Sequence, residues 1–227
     1  MLPPMNLLAH LHLSEGRPAG VAAGNLLADC LRRLPVAPLD ADSMEGIRLH
    51  RAIDAYADAH PALRAARAAF APPGRRWGGI LLDVACDFFL TRDWPRHSSV
   101  PLRGHVAARL AEIRRYLHPQ ATPLGPLLDR AIAEEWLLEY GTFDGLRTTF
   151  GRLARHSPAA NALCGAKREI ERRQAPLQAA FDEFHPQLLA RFGRGGSEGI
   201  NRPRASISPC PTESRGGGGC AGAHGGR

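Results

Sequence analysis

Residues 80–90, ILLDVACDFFL, are apolar around the whole circumference of a helix except at Asp83 and Asp87, which stand one turn apart. A helix of that pattern has no face to give to water. It belongs at the centre of a bundle, and its neighbours must bring apolar faces of their own. Two carboxylates inside such a helix need a cation or a set of donors, because an unpaired buried charge costs several kcal/mol, very roughly. The segment therefore demands an all-α fold with a polar centre.

A second segment carries the same tension. Read as a helix, residues 46–61, GIRLHRAIDAYADAHP, put Leu49, Ile53, Tyr56 and Ala57 on one apolar arc. His50, Asp54 and Asp58 follow at i, i+4 and i+8 along the margin of that arc, where solvated charges do not normally sit. Two further segments repeat the theme. Asn25 and Asp29 are i, i+4 within GNLLAD, and His10 lies in the apolar stretch 6–13. His10 and His12 diverge by 200° on a helix, so only one of them can face a shared site.

The coarse reading is helical throughout, with helices at 6–13, 19–33, 43–70 (bent near Pro61), 76–92, 102–117, 127–140, 145–155 and 158–192. Asp42 or Ser43 is the expected N-cap of the third. No strand alternation, internal repeat or coiled coil is present. From 193 onward Gly, Ser, Pro and Arg dominate, which predicts a disordered tail over 193–227 behind one helical domain over 5–192.

Composition removes several function classes. Of the 29 basic residues 28 are arginine, a bias that a GC-rich genome produces and that says nothing about phosphate sites. The net charge is +7, of which the tail holds +3, and the surplus on the body favours an acidic partner by steering. No aromatic-interleaved basic stripe or zinc finger is present, so no nucleic acid is expected. The five cysteines are scattered without a CxxC, which reads as reduced thiols and a cytoplasmic location. No apolar run approaches transmembrane length, and 1–14 is too weakly apolar for a secretory segment, with Met5 a plausible alternative start. There is no P-loop, dinucleotide fingerprint, nucleophile elbow or Glu-x-x-His pair.

What remains is the recurrence itself. His10, Asn25/Asp29, His50/Asp54 and Asp83/Asp87 come from four helices that must pack together. Imidazole with several carboxylates suits a divalent ion such as Mn²⁺, Fe²⁺ or Mg²⁺ and suits a thiolate zinc site poorly. A metal-dependent hydrolase is the natural enzyme reading.

These residues also carry a family resemblance. MNLLAHLHLS at 5–14, GNLLAD at 24–29, HRAIDAYADAHP at 50–61, DVACDFFLTRDW at 83–94 and EEWLLEY at 134–140 resemble, in order and spacing, the bacterial acyl carrier protein phosphodiesterase family. The likeness spans about 5–191. It implies an all-α bundle distantly related to the HD-domain hydrolases. It also implies hydrolysis of the phosphodiester joining 4′-phosphopantetheine to a serine of acyl carrier protein, with Mn²⁺ the expected metal. One position departs: the family pattern has Asp-His-Phe-Leu where this chain has Asp87-Phe88-Phe89-Leu90, and phenylalanine neither ligates nor shuttles protons.

The expected site has His50, Asp54, Asp83 and Asp87 as metal ligands, with Asp29 and His10 beside them. Arg51 is the expected bidentate phosphate contact, and His60 or His12 the expected proton donor to the leaving serine. The carrier is a small acidic protein, for which Arg168, Arg172 and Arg173 offer one landing surface. The alternatives are an HD-like phosphohydrolase of nucleotides or small phosphodiesters, and a carrier-binding protein impaired in catalysis by Phe88.

Overall fold

A computed structural model describes residues 7–31, 40–70, 72, 74–117, 125–155 and 165–193. Among them are eleven α-helices and no strand: α1 Leu7–Leu13, α2 Ala19–Leu31, α3 Ala41–Ala59, α4 Pro61–Ala68, α5 Gly78–Arg92, α6 Leu102–Leu117, α7 Gly125–Ala133, α8 Trp136–Glu139, α9 Phe143–Arg155, α10 Ala166–Arg172 and α11 Gln174–Phe192. The tail expected beyond 193 and the start at Met5 lie outside the described residues.

The helix read as central is central. α5 buries Leu81, Val84, Ala85, Phe88, Phe89 and Leu90, residues that point to every side of it. It packs against α1, α4, α10 and α11, and its side chains join one continuous apolar core. Phe88 packs on Phe89 and on Phe143 of α9, with ring centroids 5.2 and 5.0 Å away. Position 88 thus belongs to the apolar core.

Among the described helices the most extensive packing is between α2 and α3. Gly24 and Gly46 face each other there. A Cβ on Gly24 would sit 2.2 Å from the carbonyl oxygen of Ser43, and one on Gly46 would sit 2.2 Å from that of Val21. Without side chains at these two positions the backbones touch, and polar groups of one helix reach the carbonyls of the other.

Three helices predicted as continuous are broken. The one read as 43–70 is α3 and α4, separated at His60 (φ −66°, ψ 126°), because a residue before proline is pushed out of the helical region while Pro61 opens the next helix readily. The 127–140 helix is α7 and α8, divided at Glu135, which is left-handed (φ 48°). The stretch read as one helix to 192 is divided at Arg173 into α10 and α11. The cap of α3 is Asp40, whose carboxylate accepts the Ser43 N–H at 2.8 Å, rather than Asp42 or Ser43. No helix of the described part is long and apolar enough to cross a membrane.

Candidate functional site

α1, α2 and α3 meet around three side chains. His10 Nε2 lies 3.3 Å from Asp54 Oδ1, and His50 Nε2 lies 3.1 Å from Asp54 Oδ2. The two imidazole rings stack with centroids 4.2 Å apart. Both histidines are buried, whereas the Asp54 side chain is 45% exposed, so the group opens to water on the carboxylate side.

The direction of each ring is set by Asn25, which is wholly buried. Its amide nitrogen donates to the His10 carbonyl at 2.9 Å and to Ser14 Oγ at 2.8 Å. A carbonyl only accepts, so the amide cannot be turned the other way round. Asn25 Oδ1 must then accept from His10 Nδ1, 2.9 Å away. The backbone carbonyl of Asn25 likewise accepts from His50 Nδ1 at 2.8 Å. With both Nδ1 atoms committed as donors, each Nε2 atom that carries no proton presents a lone pair toward the carboxylate.

Unprotonated, the two Nε2 atoms and the Asp54 carboxylate are three acceptors facing one another, an arrangement that a shared proton or a metal cation stabilises. His10, His50 and Asp54 offer ligand atoms within 4.8 Å of one another, and theirs is the one such group among the described residues. Two imidazoles held from behind by carbonyls, with one carboxylate, make a donor set that could hold a divalent metal. When Nε2 carries a proton instead, the rings donate to Asp54: burial works against ionisation of the carboxyl, but these contacts from His10 and His50 outweigh it and hold the group well below the usual carboxylate range.

Beside this group a cavity opens between α1, α3, α4, α5 and α11. Its wall includes His10, Asp83, Cys86, Phe181, Phe184 and His185. Asp83 therefore shares a cavity with His10 but is not in the three-residue group. Cys86 and His185 were not singled out from sequence; a lone cysteine and a histidine in an ordinary amphipathic helix carry no signal of their own.

Asp87, predicted as a metal ligand, does something else. Its carboxylate is fully buried and accepts the backbone N–H groups of Leu8 and Ala9, each at 3.2 Å. It closes the N-terminus of α1 from across the fold, satisfying amides that have no partner within the helix. Burial pushes its carboxyl up to about 7, against the pull of those amides.

Neither predicted proton donor joins the group. His60 is buried at the α3–α4 break, edge-on to Phe184 at 5.2 Å and Tyr56 at 5.8 Å. His12 points the other way from His10, as the 200° divergence requires. It lies 4.9 Å from Trp94, 5.9 Å from His105 and 6.1 Å from His185 between ring centroids, and burial, helped by His105, lowers its pKa to about 4. Arg51 is exposed on α3, one turn before Asp54, and forms no ion pair among the described residues. Asp29 lies in α2, and its side chain is outside the described part of the structure.

Comparison with known proteins bears on the same residues. A family model described as acyl carrier protein phosphodiesterase matches residues 5–188. Proteins named acyl carrier protein phosphodiesterase from Salmonella dublin and Salmonella agona are each 34% identical over 191 residues, covering 84% of this chain and 98% of theirs. No solved structure matches the chain, so the distant HD-domain likeness rests on the sequence resemblance.

Proposed function

The chain belongs to the acyl carrier protein phosphodiesterase family, and from that premise we propose that His10, His50 and Asp54 hold a divalent metal, Mn²⁺ for preference, at the centre where the reaction occurs. The reaction is hydrolysis of the phosphodiester between 4′-phosphopantetheine and a carrier serine. Water adds to phosphorus, the bond from phosphorus to the serine oxygen breaks, and apo-carrier and phosphopantetheine leave.

The observation that carries the reading is the paired orientation of the two rings. Asn25 uses its side chain on His10 and its backbone on His50, so that both Nε2 atoms face Asp54. What a divalent ion supplies when bound by such residues is Lewis acidity, withdrawing charge from phosphoryl oxygens and acidifying water, worth several kcal/mol of barrier, roughly. Asp83, on the cavity wall with His10, is assigned the proton of the attacking water, which it passes to the serine oxygen as that leaves. Arg51, exposed one turn before Asp54, is assigned a bidentate contact to the phosphate. His12 and His60 are enclosed by aromatic rings and are given no proton to transfer.

The test is turnover of holo-carrier by the purified chain with Mn²⁺, alongside metal analysis. One ion per chain is expected, with its loss and a fall in kcat/KM of ~100-fold or more in His10→Ala, His50→Ala and Asp54→Ala. Full activity in EDTA, or turnover of nucleotides without turnover of holo-carrier, would overturn the proposal.

A further inference from the structure

The positive charge of residues 1–192 is unevenly distributed. Residues 1–192 carry a net +4, and the 32 residues from 46 to 77, with six Arg against two Asp, account for all of it. Outside that stretch, residues 1–45 carry −2 and 78–192 carry +2, and most arginines of the latter sit in ion pairs. Arg92 and Arg96 face Asp93, Arg103 faces Glu135, Arg114 faces Asp129, and Arg152 faces Glu139. Of the arginines expected from sequence to receive a partner, Arg172 and Arg173 share Glu169, with Lys167 on Glu171 beside them, while Arg168 is exposed and forms no ion pair among the described residues.

The segment 46–77 is different. Arg48, Arg51, Arg64, Arg75 and Arg76 are all exposed, and none forms an ion pair among the described residues. They lie on one connected face. Arg48 and Arg51 are i, i+3 on the outer side of α3, in line with Asp58 two turns on. Asp58 binds Arg67 of α4 at 2.8 Å, and Arg64 is one turn from Arg67 on that helix. The Arg67 stem in turn packs on Gly78, where a Cβ would lie 3.1 Å from its Cγ, directly after the 3₁₀ turn that carries Arg75 and Arg76. This face begins beside His50 and Asp54, whose carboxylate is the solvent-open side of the candidate centre.

The acids of α3 lie beside Arg48 and Arg51, so the excess is greatest over α4 and the turn, where Arg64, Arg75 and Arg76 are exposed without ion pairs among the described residues. Such an excess of guanidinium groups raises the local potential and attracts an opposing acidic surface. We propose that the outer face of α3, α4 and the turn at 74–77 is where an acidic protein docks. On the functional reading above, on which this inference rests, that protein is the carrier, delivered with its phosphodiester toward Asp54. Arg48, Arg64, Arg75 and Arg76 act in binding the protein, outside the reacting centre, and the arginines of α10 take no part.

The experiment uses the full chain and purified apo-acyl carrier protein bearing a fluorescent label, with binding read by anisotropy at low and at high salt. Apo-carrier has no phosphodiester, so binding is measured apart from chemistry. The triple variant Arg64→Glu, Arg75→Glu, Arg76→Glu is expected to bind ~10-fold or more weakly and to lose most of the salt dependence. In turnover of holo-carrier it should raise KM and leave kcat unchanged. The double variant Arg115→Glu, Arg168→Glu, which reverses two exposed arginines elsewhere, should bind as the parent does, and melting curves of both variants report that they fold. Equal affinity in the triple variant and the parent, or equal loss in the two variants, overturns the docking face. Binding that behaves as expected without any turnover overturns the hydrolase reading and leaves the face standing.

Discussion

Asn25 directs both histidines, yet it is no ligand itself. Removing its side chain leaves His10 Nδ1 without its acceptor and lets the ring take the other tautomer or rotate, so Nε2 is no longer reserved for a metal. Asn25→Ala is expected to weaken Mn²⁺ binding ~10- to 100-fold by calorimetric titration while leaving carrier affinity unchanged. Unchanged metal affinity would mean that the rings are held by something else. The sequence contains the hint, an asparagine in an apolar context at GNLLAD, but not the role. Spacing along α2 says nothing of a carbonyl on α1 or an imidazole on α3. The same limit explains the two outcomes for the buried-side carboxylates. Asp54 lies at the edge of an amphipathic helix that also offers His50, so its partner is local and legible. Asp87 has partners 78 and 79 residues away that are plain backbone amides, which no residue type announces.

At the scale of the helices, two contacts bring the group together. The first is the crossing of α2 and α3, where a methyl group on Gly46 would lie 2.2 Å from the Val21 carbonyl oxygen. That distance is far inside contact, so the helices must separate. Gly46→Ala is expected to cost about 1–3 kcal/mol or more of unfolding free energy in urea, and to weaken metal binding as His50 is drawn off the Asn25 carbonyl. A variant as stable as the parent would show that the crossing can relax. The second contact is Asp87 on the start of α1, one turn before His10. Asp87→Ala strands the Leu8 and Ala9 amides and should lose about 1–3 kcal/mol, whereas Asp87→Asn keeps an acceptor and should lose less. Denaturant midpoints of the two variants decide it. Most helices were legible because their apolar periodicity is strong, and 102–117 has the bounds read from it. The break at His60 was legible as a bend because proline marks it. The break at Glu135 was not, since a left-handed non-glycine residue is imposed by packing and leaves no mark in the local sequence.

For the molecule as a whole, the second set of histidines governs acid stability. His185 is buried with its ring stacked on Phe181 at 4.8 Å and edge-on to His97 at 4.6 Å. Burial, and then the neighbouring His97 and His12, lower its pKa to about 3. His12 is lowered to about 4, and His97 and His105 are lowered as well, in each case chiefly by burial. All four are therefore neutral in the folded chain at pH values where the unfolded chain, with ordinary histidines, takes up protons. Stability from this source is fully present above about pH 6.5 and is lost as the pH falls toward 4. Asp87 acts in the opposite sense. Its raised pKa means that the folded chain keeps a proton the unfolded chain releases, so its contribution is present at low pH and fades as the pH rises toward 7. One carboxyl is set against several histidines over the same window, so the histidines prevail. The net loss between pH 6.5 and 4 is on the order of a few kcal/mol, since each proton taken up only by the unfolded chain is worth about 1.4 kcal/mol per pH unit. Thermal midpoints should fall steadily across that range. His185→Phe, which keeps a ring against Phe181 but cannot be protonated, should make the fall shallower. If the parent melts at one temperature from pH 6.5 to 4, or if His185→Phe falls as steeply as the parent, the buried imidazoles are not what acid attacks first.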